Sequence, residues 1–261
     1  MNTRYRPVTL EQLLPANLFA AALIFARVGS AMILLPGFGE FYVMQRYRLL
    51  LAVLVSALLT PVLGPSLPPL PASGVRLVVA VGSEAMIGLF LGSVARVLLG
   101  ALDIAGTIVS LQLGLSQAQI FNPAAAATGT LVSSLYGVMG VLLIFLADLH
   151  HLLLRAVVDS YATFAPGAMP PLGDLSDMIA RGVAGAFVIG MEMSAPFIVL
   201  GVLFFVVIGF IGRLVPQLHV LFVTQPLQIV GGLLAMVFVL AASMRWFLDA
   251  FIGQFTALTG G

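Results

Sequence analysis

Lysine and cysteine are both missing from this 261-residue chain, and charged side chains of any kind make up only 8% of it. Without cysteine there is no disulfide, no thiolate metal centre and no cysteine nucleophile. Eleven basic residues, all of them arginine, stand against ten acidic ones, and a formal charge of +1 gives no basic field for nucleic acid. Three histidines are too few for most metal cages, and the sequence has no phosphate-binding loop, so no catalysis, metal or cofactor is expected. What replaces charge is apolar length. The chain is 61% hydrophobic with a mean hydropathy of +1.16, where an ordinary soluble domain carries roughly 25% charged residues. This composition is that of an integral membrane protein.

The apolar residues fall into five or six runs, with no intervening soluble stretch long enough to build its own core. The expectation is an all-α membrane protein made of long, broken helical hairpins, forming a single helical domain over residues 1–261. The first run, Ala16–Leu35, has about the 20 residues a bilayer requires and exceeds a signal peptide's apolar region, so it is expected to be retained. A second helix is expected from Tyr47 to Leu59, followed by a stiff loop from Pro61 to Gly74 (PVLGPSLPPLPASG). Val75 to Ser110 reads as one long or bent helix, in which Gly88 and Gly92 leave one face bare for a neighbouring helix. Ala124–Phe164 reads as another single run. Its end carries Asp148, His151, Arg155 and Asp159 on one helical stripe, with His150 pointing away from His151 and no HExxH spacing, which argues for a solvated face rather than a metal site. After a Pro- and Gly-rich loop at 165–176, an apolar helix to Gly212 contains Glu192 and Pro196. A second polar interruption from Arg213 through Gln225 and Pro226 precedes the last helix, which ends near Phe255.

Arg27, Glu84, Arg96 and Glu192 lie inside apolar runs and have no opposite charge at i±3 or i±4. An unpaired charge at membrane depth costs several kcal/mol or more. These four are therefore expected to face a cavity or another subunit. The stretch from Gly106 to Pro123, GTIVSLQLGLSQAQIFNP, concentrates amide side chains where lipid could not satisfy them, so it should be buried in protein or line a water-filled path as a re-entrant element. Arg4 and Arg6 balance Arg46 and Arg48 across the first run, so the positive-inside count leaves the orientation open. An ion-coupled secondary transporter would use the same intramembrane charges and broken helices, but no internal repeat accompanies them. An intramembrane serine protease built on Ser116 with His150 or His219 lacks the partners that set such a geometry.

The order and spacing of several motifs resemble the FliR family of flagellar export-gate proteins, whose injectisome relatives are the SctT proteins. The resemblance runs nearly end to end. It is carried by Arg27-Val-Gly29 with Pro36-Gly-Phe-Gly39, Arg48-Leu-Leu-Leu-Ala52, and Glu84 with Ile87-Gly-Leu-Phe-Leu-Gly92. Its strongest parts are Gln112-Leu-Gly-Leu-Ser116 leading to Phe121-Asn-Pro123, and Pro216-Gln-Leu-His219 leading to Gln225-Pro-Leu-Gln228. His219 departs from the family pattern, where asparagine is expected. The resemblance implies a single subunit of an export gate in the bacterial inner membrane, at the flagellar basal body, with FliP-like and FliQ-like membrane subunits and an FlhB-like one. Unfolded flagellar proteins would pass through its axis. It further implies that a plug seals the channel, running through Gln112, Leu113, Gly114, Leu115, Ser116 and Gln117. The same plug would continue with Ala118, Gln119, Ile120, Phe121, Asn122 and Pro123.

Overall fold

The computed structural model describes residues 10–115, 130–214 and 220–259. Among these there are eight α-helices and no strand: α1 (Leu10–Leu34), α2 (Gln45–Leu63), α3 (Gly74–Leu99), α4 (Ala101–Gln112), α5 (Leu131–Leu146), α6 (Leu149–Thr163), α7 (Leu172–Leu214) and α8 (Val220–Thr259). Five stretches are long and apolar enough to cross a membrane, and six if α5 and α6 form one broken span. That matches the five or six runs expected from composition.

Two breaks differ from expectation. Pro61 does not end α2, which continues to Leu63 before a 3-10 turn at Gly64–Ser66. Pro226 lies inside α8 rather than in a polar interruption, so the described helix resumes at Val220. Each proline removes one backbone donor, Pro61 in the last turn of α2 and Pro226 in the second described turn of α8, and neither ends its helix. The described part of the long apolar run expected over 124–164 is divided at Ala147–Asp148 into α5 and α6. Asp148 takes φ 57, the left-handed region, which stops the helical path there.

The chain forms two compact units, the first from residues 1–96 with 148–179 and the second from 97–147 with 180–260. In the first unit, α1 packs on α2 and α6. Its buried residues recur at three- and four-residue intervals, Leu23, Ile24, Val28, Ala31 and Met32, which is one face of a 3.6-residue helix, and Leu35 just past its end is buried too. Arg27 falls on that same face and is fully buried. The α3 helix meets this face through its bare glycines. A Cβ added at Gly88 would overlap the Arg27 carbonyl, and one at Gly92 would stand 2.7 Å from the Ala31 carbonyl oxygen. The close helix approach foreseen from the GxxxG spacing is therefore made onto α1.

A clean test follows from two glycines of α3. Gly88→Val should destabilise the protein by about 1–3 kcal/mol or more, because the obstructing atom is backbone and cannot swing aside. Gly82→Ala, whose added Cβ meets nothing within 4 Å, should be neutral or stabilising by up to about 1 kcal/mol. Thermal resistance of the detergent-solubilised chain reads both.

In the second unit, α4 packs along α5. The α5 helix opens with a capping box: the Ser133 backbone N–H donates to Thr130 Oγ1 at 3.0 Å, and the Thr130 N–H donates to Ser133 Oγ at 3.1 Å. In α8 the rings of Phe247, Phe251 and Phe255 form a buried ladder at i, i+4 spacing, with centroids 5.8 and 5.9 Å apart. The opposite faces of α7 and α8 carry exposed Val199, Leu203, Phe210, Val237 and Phe238. Such faces suit lipid or a neighbouring protein helix, not water.

Candidate functional site

The polar segment singled out in the sequence begins at the end of α4, and its first residues are held by a specific set of contacts. Gly114 adopts φ +74, its N–H donates to the Leu111 carbonyl at 3.1 Å, and the Leu115 N–H reaches back to the Ser110 carbonyl at 3.1 Å. These two bonds are those of a Schellman motif, in which a left-handed residue just past the helix satisfies the last free carbonyls. Glycine takes that conformation without a Cβ penalty, which explains Gly114 at this position. The carbonyl of Gln112 then accepts a hydrogen bond from Gln228 Nε2 of α8 at 2.8 Å.

Two further glycines make room for this terminus. A Cβ at Gly201 of α7 would overlap the Gln112 amide, and one at Gly232 of α8 would overlap the Leu113 side chain. Beside them lies a mostly apolar cavity of about 220 Å³, walled by Phe197, Leu200, Phe204 and Leu227. Thus Gln112, Leu113 and Gly114 are seated between α7 and α8, as a segment buried in protein must be. Ser116, Gln117, Ala118, Gln119, Ile120, Phe121, Asn122 and Pro123 lie outside the described residues, as do His219, Arg4 and Arg6. Gln228 was not among the site residues expected from sequence. Its signal was available: an amide side chain two residues after Pro226, followed by the apolar run from Ile229 to Ala242.

The second polar constellation is in the first unit. Arg27 Nε donates to Glu84 Oε2 at 2.6 Å and Nη2 to Glu84 Oε1 at 3.2 Å, the bidentate arrangement that suits a planar guanidinium. Both side chains are fully buried. Arg27 also donates to Ser160 Oγ at 3.0 Å and to the Phe164 carbonyl at 3.4 Å, and its guanidinium lies 3.8 Å from the centre of the Tyr161 ring. Glu84 Oε1 accepts the Gly167 backbone N–H at 2.8 Å. One pair thereby ties α1 and α3 to α6 and to the loop that follows it.

Of the four charges expected to face a cavity or another subunit, Arg27, Glu84 and Arg96 have a partner within the chain. Arg27 and Glu84 satisfy one another across two helices of the same chain. Arg96 likewise forms an ion pair within the chain, with Glu40 of the loop between α1 and α2. The same loop is braced by Arg48, which donates to the carbonyls of Phe38 at 2.8 Å and Glu40 at 3.0 Å. Burial, and then the neighbouring Glu40 carboxylate, hold the Tyr42 phenol above its usual range, with Arg96 acting in the opposite direction. Glu192 differs from the other three. It is exposed near the middle of α7, flanked by exposed Phe187, Val188 and Met191, and among the described residues it has no hydrogen bond or ion pair.

Residues 18–253 match the family described as Bacterial export proteins, family 1. The flagellar biosynthetic protein FliR of Caulobacter vibrioides is 36% identical over 83% of this chain and 86% of its own length. The chain belongs to the FliR family. The FliR protein of Bacillus subtilis is 30% identical over 82% of the chain and 83% of its own length, and that of Pectobacterium carotovorum is 26% identical over 81% and 80%. The protein is thus a flagellar biosynthetic and export protein, and with its long apolar helices it is a membrane protein of the flagellar apparatus. The matched region contains the whole polar segment from Gln112 to Pro123, Gln228, and all four of Arg27, Glu84, Arg96 and Glu192.

Proposed function

We propose that this FliR-family chain is a subunit of the flagellar type III protein export gate in the bacterial inner membrane. It builds a channel with FliP-like and FliQ-like subunits beside an FlhB-like one, and its segment from Gln112 to Pro123 is the plug that seals the path of unfolded flagellar proteins. The observation that carries this proposal is the seating of Gln112–Leu115. An amide-rich segment in a membrane chain starts from a fixed turn, held by Gln228 and by glycine clearances in α7 and α8. A barrier that must hold against a membrane gradient needs such a rigid base, with apolar bulk and satisfied amides beyond it. The role is that of conduit and barrier rather than catalyst, and the energy for export comes from elsewhere in the apparatus.

Exposed Glu192 supports a subunit interface. A carboxylate surrounded by apolar side chains near the middle of a 43-residue helix is not stable against lipid, and a polar or basic group on a partner helix would meet it. Co-expression with the FliP-like and FliQ-like subunits of the same bacterium, followed by purification through a tag on one of those, tests the assembly. The chain should co-elute with both. A monodisperse, cooperatively melting monomer that ignores its co-expressed partners would contradict the proposal.

A further inference from the structure

Asp148 is the one non-glycine residue with positive φ among those described, and it stands immediately before α6. An L-residue held there stores strain, least for Asp and Asn, and such outliers cluster at functional sites. An Asp preceding a helix commonly offsets its cost by capping the first backbone N–H groups. The Asp148 side chain makes no such bond. Its carboxylate turns toward His151 instead, with Oδ1 4.0 Å from Nδ1. The His150 ring lies against that of His151, centroids 4.1 Å apart and planes tilted by 39°. Adjacent residues on an ideal helix diverge by about 100°, which is why the sequence argued against a site here. At the first turn of α6 the two rings converge. One ligand atom from each of Asp148, His150 and His151 lies within 4.8 Å of the others.

The geometry points to a binding site for a first-row divalent transition-metal ion of the zinc class, with Asp148, His150 and His151 as ligands. Two imidazoles and one carboxylate are ordinary zinc donors and suit copper(II) or nickel(II), whereas magnesium and calcium take oxygen ligands. Around a tetrahedral ion the donors would stand roughly 3.4 Å apart, given metal–ligand distances of about 2.0–2.1 Å. The side chains therefore have to close by up to about 1.4 Å. That movement is open to Asp148 and His151, whose side chains are 80% and 73% exposed. The fourth position is left to water. Arg155, one turn beyond His151, is the nearby cation that would oppose binding, and Asp159 pairs with it at 3.5 Å. A bound ion would fasten the strained residue before α6 to the first turn of that helix.

The test uses the full-length chain without a histidine tag, purified in its export complex, dialysed against zinc chloride with excess magnesium and analysed for metal. One magnesium-resistant zinc per chain is expected. Asp148→Asn and His151→Ala should each weaken zinc retention by about tenfold or more, while His219→Ala leaves it unchanged. The proposal is overturned if wild type retains no more zinc than the His150→Ala/His151→Ala double variant. Should a variant fail to enter the complex, the wild type alone decides. Zinc, but not magnesium, should slow diethyl pyrocarbonate modification of His150 and His151, and equal modification rates with both ions would overturn the site as surely.

Discussion

Glu84→Ala is expected to remove the chain from the proposed export complex, or to leave it there with greatly reduced resistance to heat and denaturant. The change strands the Arg27 guanidinium in a fully buried position beside Ser160 and the Phe164 carbonyl, neither of which carries an opposing charge. It also leaves the Gly167 N–H without its acceptor. Breaking one side of a buried ion pair costs about 3–5 kcal/mol, a large part of the stability of a typical domain. Replacing both partners with apolar residues of similar volume often costs little, because the desolvation of two charges disappears with their attraction. Arg27→Met with Glu84→Met should therefore recover much of what Glu84→Ala loses. The measurement is the amount of chain that co-purifies with the proposed FliP-like and FliQ-like subunits, together with the melting temperature of that complex. A double variant as damaged as the single one would mean that the charges themselves act in assembly or export, not only in holding α1, α3 and α6 together.

The same pair marks where sequence reasoning reached its limit. Arg27 was recognisable as a problem needing a solution, since charge within an apolar run is costly wherever it points. Its partner was not recognisable, because Glu84 is 57 residues away and the pairing depends on how α1 and α3 meet. What betrays that meeting is the Gly88–Gly92 spacing, which allows α3 to approach the buried face on which Arg27 lies. The helix content and the five or six apolar spans follow from hydropathy alone, as expected for chains whose backbone must bond internally. Breaks were harder. Pro61 and Pro226 lie within helices although each removes a backbone donor, whereas Asp148, with no proline beside it, stops one. At the polar segment, the need for surrounding protein was legible from its amides, and the structure adds the turn at Gly114 through its left-handed φ and Schellman bonds. Gln228, Gly201 and Gly232 became visible only when α7 and α8 were folded beside the end of α4.

Replacing Ser116–Phe121 with a short Gly-Ser link is expected to leave the export complex assembled while making it leak ions and small dyes. Gln112–Leu115 is kept in this variant because those residues are built into the second unit: Leu113 fills the clearance over Gly232, Gln112 is bonded by Gln228, and Leu115 closes the Schellman turn. Cutting into them would confuse loss of a barrier with loss of its base. Beyond Leu115, the apolar bulk of Ile120 and Phe121 and the amides of Gln117 and Gln119 are what an ion barrier requires, and a Gly-Ser link provides neither. The companion variant Gln228→Ala removes only the brace, a single hydrogen bond worth about 0.5–1.5 kcal/mol, and should give a partial leak with assembly intact. Dye entry into cells or vesicles carrying the complex reads the barrier, and co-purification of the subunits reads assembly. Loss of the complex in the Gly-Ser variant would make the segment a structural element. An assembled complex that remains as tight as wild type would sink the plug assignment, whatever the effect on export of flagellar proteins.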